Sequence, residues 1–184
     1  MQSAEALTKS FRELIIDKPY RDVTVVDICR NANVSRRQFY ICFKDKLDVF
    51  EKVIDEDFLM PARDLDKMLS SSLLKSSPYF LTERIYHIFI DNHDFYERLI
   101  AYPDSRLLFI ETATECLMRL NNKLLSDLFV DKGELEYVSY FISSSHVMLW
   151  VKWIRDDMTP GPQEMAQLFN KYALSALRKT KNTR

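Results

Sequence analysis

At 184 residues, 47% of them apolar and 12% aromatic, the chain can bury a sizeable core, either as one domain or as a small domain on a larger one. Only two glycines occur, Gly133 and Gly161, which argues against glycine-rich phosphate loops and turn-rich β structure and favours helices. The net charge of −1 conceals a mild asymmetry: residues 1–50 hold nine Lys/Arg against seven Asp/Glu, and the remainder is acidic, so a polyanion would be met by one face only.

In chain order, residues 3–17 carry Ala6, Leu7, Phe11, Leu14 and Ile15 at helical spacing, and Pro19 bars continuation. Thr24 then precedes Val25-Val26-Asp27, a cap with an acid three residues on, and Val26, Ile28 and Cys29 offer this second helix an inward face. Asn31-Ala32-Asn33 reverses the chain. Ser35-Arg36-Arg37-Gln38 opens a third helix with the Ser-x-x-Gln capping pattern, flanked by Val34 and Phe39 as a possible hydrophobic staple. On that helix Val34, Phe39 and Phe43 point inward, which leaves Arg36, Arg37, Gln38 and Tyr40 outside.

Two short capped helices joined by a tight turn make a helix-turn-helix, whose second helix can enter a DNA major groove. Arg36 and Arg37 suit bidentate contacts to guanine, and Gln38 suits adenine. Ser35, Tyr40, Lys44 and Lys46 are placed for phosphate contacts that set register without reading sequence. From Arg30 to Lys46 there are five basic residues and one acidic residue.

The first fifty residues resemble the DNA-binding domain of the TetR family of bacterial transcription regulators. The residues that carry the likeness are Phe11, Leu14, Lys18-Pro19-Tyr20, Thr24-Val25-Val26-Asp27-Ile28, Ala32-Asn33-Val34-Ser35, Phe39-Tyr40 and Phe43-Lys44-Asp45-Lys46-Leu47. The resemblance implies backbone-phosphate contacts by Thr24, Tyr40 and Lys46 and base reading by Arg36, Arg37 and Gln38. Asn33 stands where the family usually has glycine, and asparagine tolerates the left-handed conformation better than other residues with a Cβ. Cys42 replaces the usual tyrosine or histidine and is assigned no DNA contact.

A long helix is expected from Asp45 to about Met60, ended or kinked by Pro61, with a polar connection through Ser70-Ser71-Ser72 and Ser76-Ser77-Pro78. Helical periods follow near 79–91, 94–101, 105–130, 134–156 and 163–178, separated by Pro103-Asp104-Ser105, Asp131-Lys132-Gly133 and Thr159-Pro160-Gly161-Pro162. The fold class is therefore all-α, with about nine helices: a helix-turn-helix domain over residues 1–48 and a helical effector-binding and dimerisation domain over 49–184.

The last two helices are apolar on more than one side, so they are central or meet another subunit. The resemblance favours a homodimer through them, with Tyr140, Val147, Trp153, Leu168, Phe169 and Tyr172 as interface candidates. Residues 150–168 and 92–96 also resemble a TetR subgroup that includes regulators of dihydroxyacetone kinase operons. Aromatic residues in the body could line an effector cavity, with Tyr86, Phe89, Phe109, Met118 and Trp150 as candidates; packing as plain core is the alternative. The effector could equally be a partner protein.

Cys29, Cys42 and Cys116 show no ligand spacing, which suggests reduced thiols in a cytoplasm and no metal. No signal core and no run of about 18 apolar residues is present, so neither export nor membrane spanning is expected. No nucleophile elbow, metal cluster or phosphate loop points to an enzyme, and no cofactor is expected. The reading is a DNA-binding homodimeric repressor released from a palindromic operator by a ligand or partner. Its rival is a helical protein-interaction module that binds no DNA.

Overall fold

The computed structural model describes residues 2–59, 80–126, 129 and 131–181. They form nine α-helices and one 3₁₀ turn, with no strand among the described residues: α1 Gln2–Asp17, a 3₁₀ turn Tyr20–Asp22, α2 Val25–Asn31, α3 Arg36–Cys42, α4 Lys46–Phe58, α5 Phe80–Asp91, α6 His93–Ala101, α7 Pro103–Leu125, α8 Lys132–Arg155 and α9 Pro162–Lys181. The expected break at Pro61 and the serine-rich connection lie outside the described residues.

The N-terminal helices build a small head. Leu7, Phe11 and Ile15 of α1, Ile28 and Cys29 of α2, Phe39 at the centre of α3 and Val49 and Phe50 of α4 are all buried. Phe11, Tyr20 and Phe50 meet edge to face, at centroid separations of 6.2, 6.2 and 5.8 Å, and lock α1, the 3₁₀ turn and α4 together. Val26 differs from the expected inward orientation. It is exposed, as is Leu47, because helices as short as α2 and the first turn of α4 present only one narrow stripe to so small a core.

Head and body share α4, which packs on α1 and on α7, while α6 also packs on α1. In the body α7 lies along α8 and α9 lies along α5. Pro103 is the first residue of α7 and not part of a separator: its missing N–H would have no helical partner there anyway. Asp131 likewise opens α8, accepting hydrogen bonds from the backbone N–H groups of Gly133 and Glu134 at 2.7 and 3.3 Å.

The reversal between α2 and α3 is closed by backbone alone. Val34 N–H donates to the Cys29 carbonyl at 2.9 Å and Asn33 N–H to the Arg30 carbonyl at 3.2 Å, the paired bonds of a helix C-terminus. Asn33 sits at φ 52°, the left-handed conformation expected of it. Replacing Asn33 with Ala should therefore cost about 1 kcal/mol, while Asn33→Gly should be neutral or stabilising. Urea midpoints at unchanged slope will measure both.

Candidate nucleic-acid interface

The two short helices are held by interlocking caps. The Thr24 hydroxyl accepts from Asp27 N–H at 3.1 Å, and Thr24 N–H donates back to the Asp27 carboxylate at 3.0 Å. The same carboxylate takes a hydrogen bond from the Thr24 hydroxyl and an ion pair from Lys18, each at 2.7 Å. Hydrogen bonds from Lys18 and then Thr24 hold the Asp27 carboxyl well below the usual carboxylate range. The start of α2 is thereby tied to the end of α1.

On α3 the expected capping pattern is half formed. Ser35 Oγ accepts from Gln38 N–H at 3.2 Å, but the Gln38 amide turns along its own helix to Cys42 Sγ, 3.9 Å away. Gln38 is half-buried, whereas Arg36 and Arg37 are exposed. Phe39, fully buried between them and Phe43, seats the helix and turns its opening turn outward.

The outer face continues one turn on. Tyr40 is exposed and packs edge to face on Phe39, at 5.3 Å. Ile41 is 68% exposed and follows Arg37 by four residues, so the two share one stripe of α3. Sequence reading passes over Ile41. The available signal is an apolar residue out of phase with Phe39 and Phe43.

Lys44 is exposed, with its backbone N–H donated to Asp48 at 2.9 Å; Asp48 N–H in turn bonds the Asp45 carboxylate at 2.9 Å and caps α4. Lys46 is half-buried, with its ammonium turned toward Tyr20. Its ammonium donates to the Tyr20 carbonyl at 2.6 Å and lies 3.9 Å over the Tyr20 ring, and burial pulls its pKa down. A phosphate would have to share Lys46 with that carbonyl.

The sequence matches the model of bacterial regulatory proteins of the tetR family over residues 7–53 and a transcriptional regulator C-terminal region over residues 76–175. The chain belongs to the TetR family. Solved structures share its fold at low identity. The dihydroxyacetone kinase operon activator DhaS is 14% identical, with TM-score 0.65 and 96% of each chain covered. The fatty acid degradation regulator FadR from Bacillus halodurans is 14% identical, with TM-score 0.66, covering 92% of this chain and 97% of its own. NalD of Pseudomonas aeruginosa, secondary repressor of the MexAB-OprM multidrug efflux pump, is 16% identical, with TM-score 0.61 and 94% and 95% covered. Among curated proteins none matches it in sequence.

In the body of this TetR-family chain, Tyr86, Phe89, Phe109 and Trp150 come together in one buried aromatic cluster with Phe58, Tyr96 and Trp153. Met118 is half-buried. Surface grooves of about 460 Å³, between α1 and the α5–α6 junction, and about 350 Å³, between α6 and the end of α8, are lined by other residues.

Of the interface candidates, Tyr140, Leu168 and Tyr172 are exposed and Phe169 is half-buried. Val147 and Trp153 are not available to a second subunit. Both are buried in the protomer, and the Trp153 indole N–H donates to the Pro160 carbonyl at 2.6 Å. Tyr137, Phe141 and Met148 are exposed instead and fall with Tyr140 on one side of α8. Among the described residues no helix is long and apolar enough to cross a membrane.

The Asp27 network has a pH signature. A carboxyl whose folded pKa is depressed contributes stability in full above its unfolded pKa of about 4, and loses it as pH falls toward the folded value. The stability gap between wild type and Asp27→Asn should therefore be constant from about pH 7 to about pH 5 and narrow at about pH 3. Urea titrations at the three pH values will show it.

Proposed function

We propose that this chain is a homodimeric transcriptional repressor that binds a palindromic DNA operator and leaves it when a small ligand or partner protein engages the body. One observation carries the DNA reading: α3 is capped by Ser35 and seated by a buried Phe39, and it presents Arg36 and Arg37 to solvent. Arg36 and Arg37 read guanine edges, and Gln38 reads adenine after releasing Cys42. Ile41 meets a thymine methyl. Thr24, Ser35, Tyr40 and Lys44 hold phosphates, and Lys46 joins them while bracing Tyr20. The head ends near residue 48, where α4 passes into the body.

Dimerisation supplies what one helix lacks, since two-fold pairing reads half-sites about 34–36 Å apart or a multiple of that. The exposed stripe of Tyr137, Tyr140, Phe141 and Met148 on α8, with Leu168 and Tyr172 of α9, supports pairing through these helices. The names of structural neighbours include both an activator and a repressor; repression is the reading favoured here, without catalysis and in the cytoplasm. A purely protein-binding bundle would leave the paired arginines of α3 with no partner.

Two outcomes test this. Selection from random duplexes should yield a palindrome, against which Arg36→Ala and Arg37→Ala each lose on the order of 1–3 kcal/mol and relax sequence choice. Lys44→Ala should weaken every duplex alike and flatten the salt dependence by about one unit of slope. If all three variants retain wild-type binding to every duplex, DNA recognition by α3 is refuted. Phe141→Glu should yield monomers in sedimentation and abolish binding to the palindrome, since a carboxylate cannot be buried unpaired at a subunit contact.

A further inference from the structure

Of the three side chains assigned to base reading, two stand out from the surface and one is held. Arg36 and Arg37 are exposed, whereas Gln38 is half-buried and its amide Nε2 donates to Cys42 Sγ, 3.9 Å away and one turn further along α3. The third residue of a capped helix commonly returns its side chain to the cap, as the Asp27 carboxylate does to Thr24 N–H on α2. Gln38 holds that position on α3, yet its side chain runs the opposite way, toward the helix end. Cys42 is the last residue of α3, half-buried and packed against the core, so its sulfur has a fixed place. On the neighbouring stripe Arg37 has no such tie, since four residues on stands the apolar and exposed Ile41.

The amide that rests on Cys42 is the same group through which Gln38 meets a base. Adenine presents N7 as an acceptor beside N6–H as a donor, and a glutamine satisfies both with its N–H and its carbonyl oxygen. Turned outward to that edge, the amide leaves the sulfur, because Cys42 lies along the helix and against the core. Adenine and Cys42 therefore compete for one group. Sulfur is a weak acceptor, so its bond contributes less than an ordinary neutral hydrogen bond, and adenine, with two bonds to offer, prevails. The contact to adenine is nonetheless weakened by the bond given up.

We propose that Cys42 is a positioning residue that sets operator affinity, by holding the Gln38 amide against α3 in competition with adenine. The inference rests on the reading of Gln38 as a contact to adenine. Its effect falls on one base pair per half-site. Where that pair offers adenine, Cys42 lowers the affinity; where it offers the amide no acceptor, Cys42 changes nothing. In a two-fold complex the sulfur bond is given up twice, once in each half-site, so a contact that is weak by itself becomes measurable. Operator affinity is thereby held below what the three side chains could give together. A ligand or partner protein then needs less differential binding to shift the chain off its operator.

The test uses the full chain, its selected palindrome and the base pair at which Gln38→Ala abolishes the preference for adenine. Cys42→Val removes the acceptor and keeps the bulk of the side chain, whereas Cys42→Ala removes both. Fluorescence anisotropy gives affinities for the palindrome and for a copy with cytosine in place of that adenine in both half-sites, cytosine having no acceptor on its major-groove edge. Both variants should bind the adenine duplex about four- to tenfold more tightly than wild type, from a gain of roughly two- to threefold in each half-site. Both should bind the cytosine duplex within about twofold of wild type. In Gln38→Ala protein, Cys42→Val should alter neither affinity. Unchanged or weaker binding of the adenine duplex by either variant, an equal gain on both duplexes, or a gain that persists beside Gln38→Ala would overturn the inference. Gln38→Ala with every base preference intact would remove Gln38 from the readers, and the inference with it. Failure of the wild type to bind any duplex would instead sink the regulator reading itself.

Discussion

The contact on which the arrangement of this molecule turns is the grip of Arg12 on Asp57. Two guanidinium N–H groups of Arg12, on α1, meet the two carboxylate oxygens of Asp57, on α4, at 2.6 and 3.0 Å. The Tyr96 hydroxyl of α6 donates to the same carboxylate, and the Phe95 ring lies 5.1 Å from the guanidinium. Burial alone would push the arginine toward neutrality; the Asp57 charge and hydrogen bonds outweigh it and leave the pKa above its ordinary value. Tyr96 is driven the other way, its phenol held protonated by burial and by the carboxylate beside it. A charge pair this enclosed persists only when its geometry is met on every side. That requirement sets where the head sits on the body.

Around this junction the head keeps its surface free because its scaffold is satisfied internally. Thr24, Asp27 and Lys18 tie α2 to α1, Ser35 caps α3, and Asp45 with Asp48 close the start of α4. Lys46 is drawn in to brace Tyr20. Arg36 and Arg37 carry none of these duties, so their guanidinium groups remain open to a partner. The body distributes its residues differently. Its aromatic side chains pack into a core, and the polar groups enclosed there divide between those bonded to backbone, such as the Trp153 indole N–H on the Pro160 carbonyl, and those without a partner, such as Ser139 Oγ and His146 Nε2.

Much of this was legible along the chain, and the reason is locality. Helix caps, the left-handed Asn33 and the seat provided by Phe39 and Phe43 depend on residues at most five positions apart, so pattern and propensity suffice to find them. The boundaries that sequence reading misplaces, at Pro103 and at Asp131, involve residues that both end one segment and open the next. Only backbone hydrogen bonding tells which role is taken.

The sequence by itself determined an all-helical chain with a two-helix reading unit near its N-terminus and an apolar surplus near its C-terminus, because both follow from periodicity and short-range hydrogen bonding. The tertiary structure alone decided how that surplus is divided. Val147 and Trp153 face the protomer's own core while Tyr137, Phe141 and Met148 face out, since on a helix apolar around most of its girth only the neighbouring helices determine which side is covered. It also decided that Lys46 turns inward and that Tyr86 of α5 meets His146 and Trp150 of α8, some sixty residues on in the chain. Such encounters are products of packing, and no run of neighbouring residues encodes them.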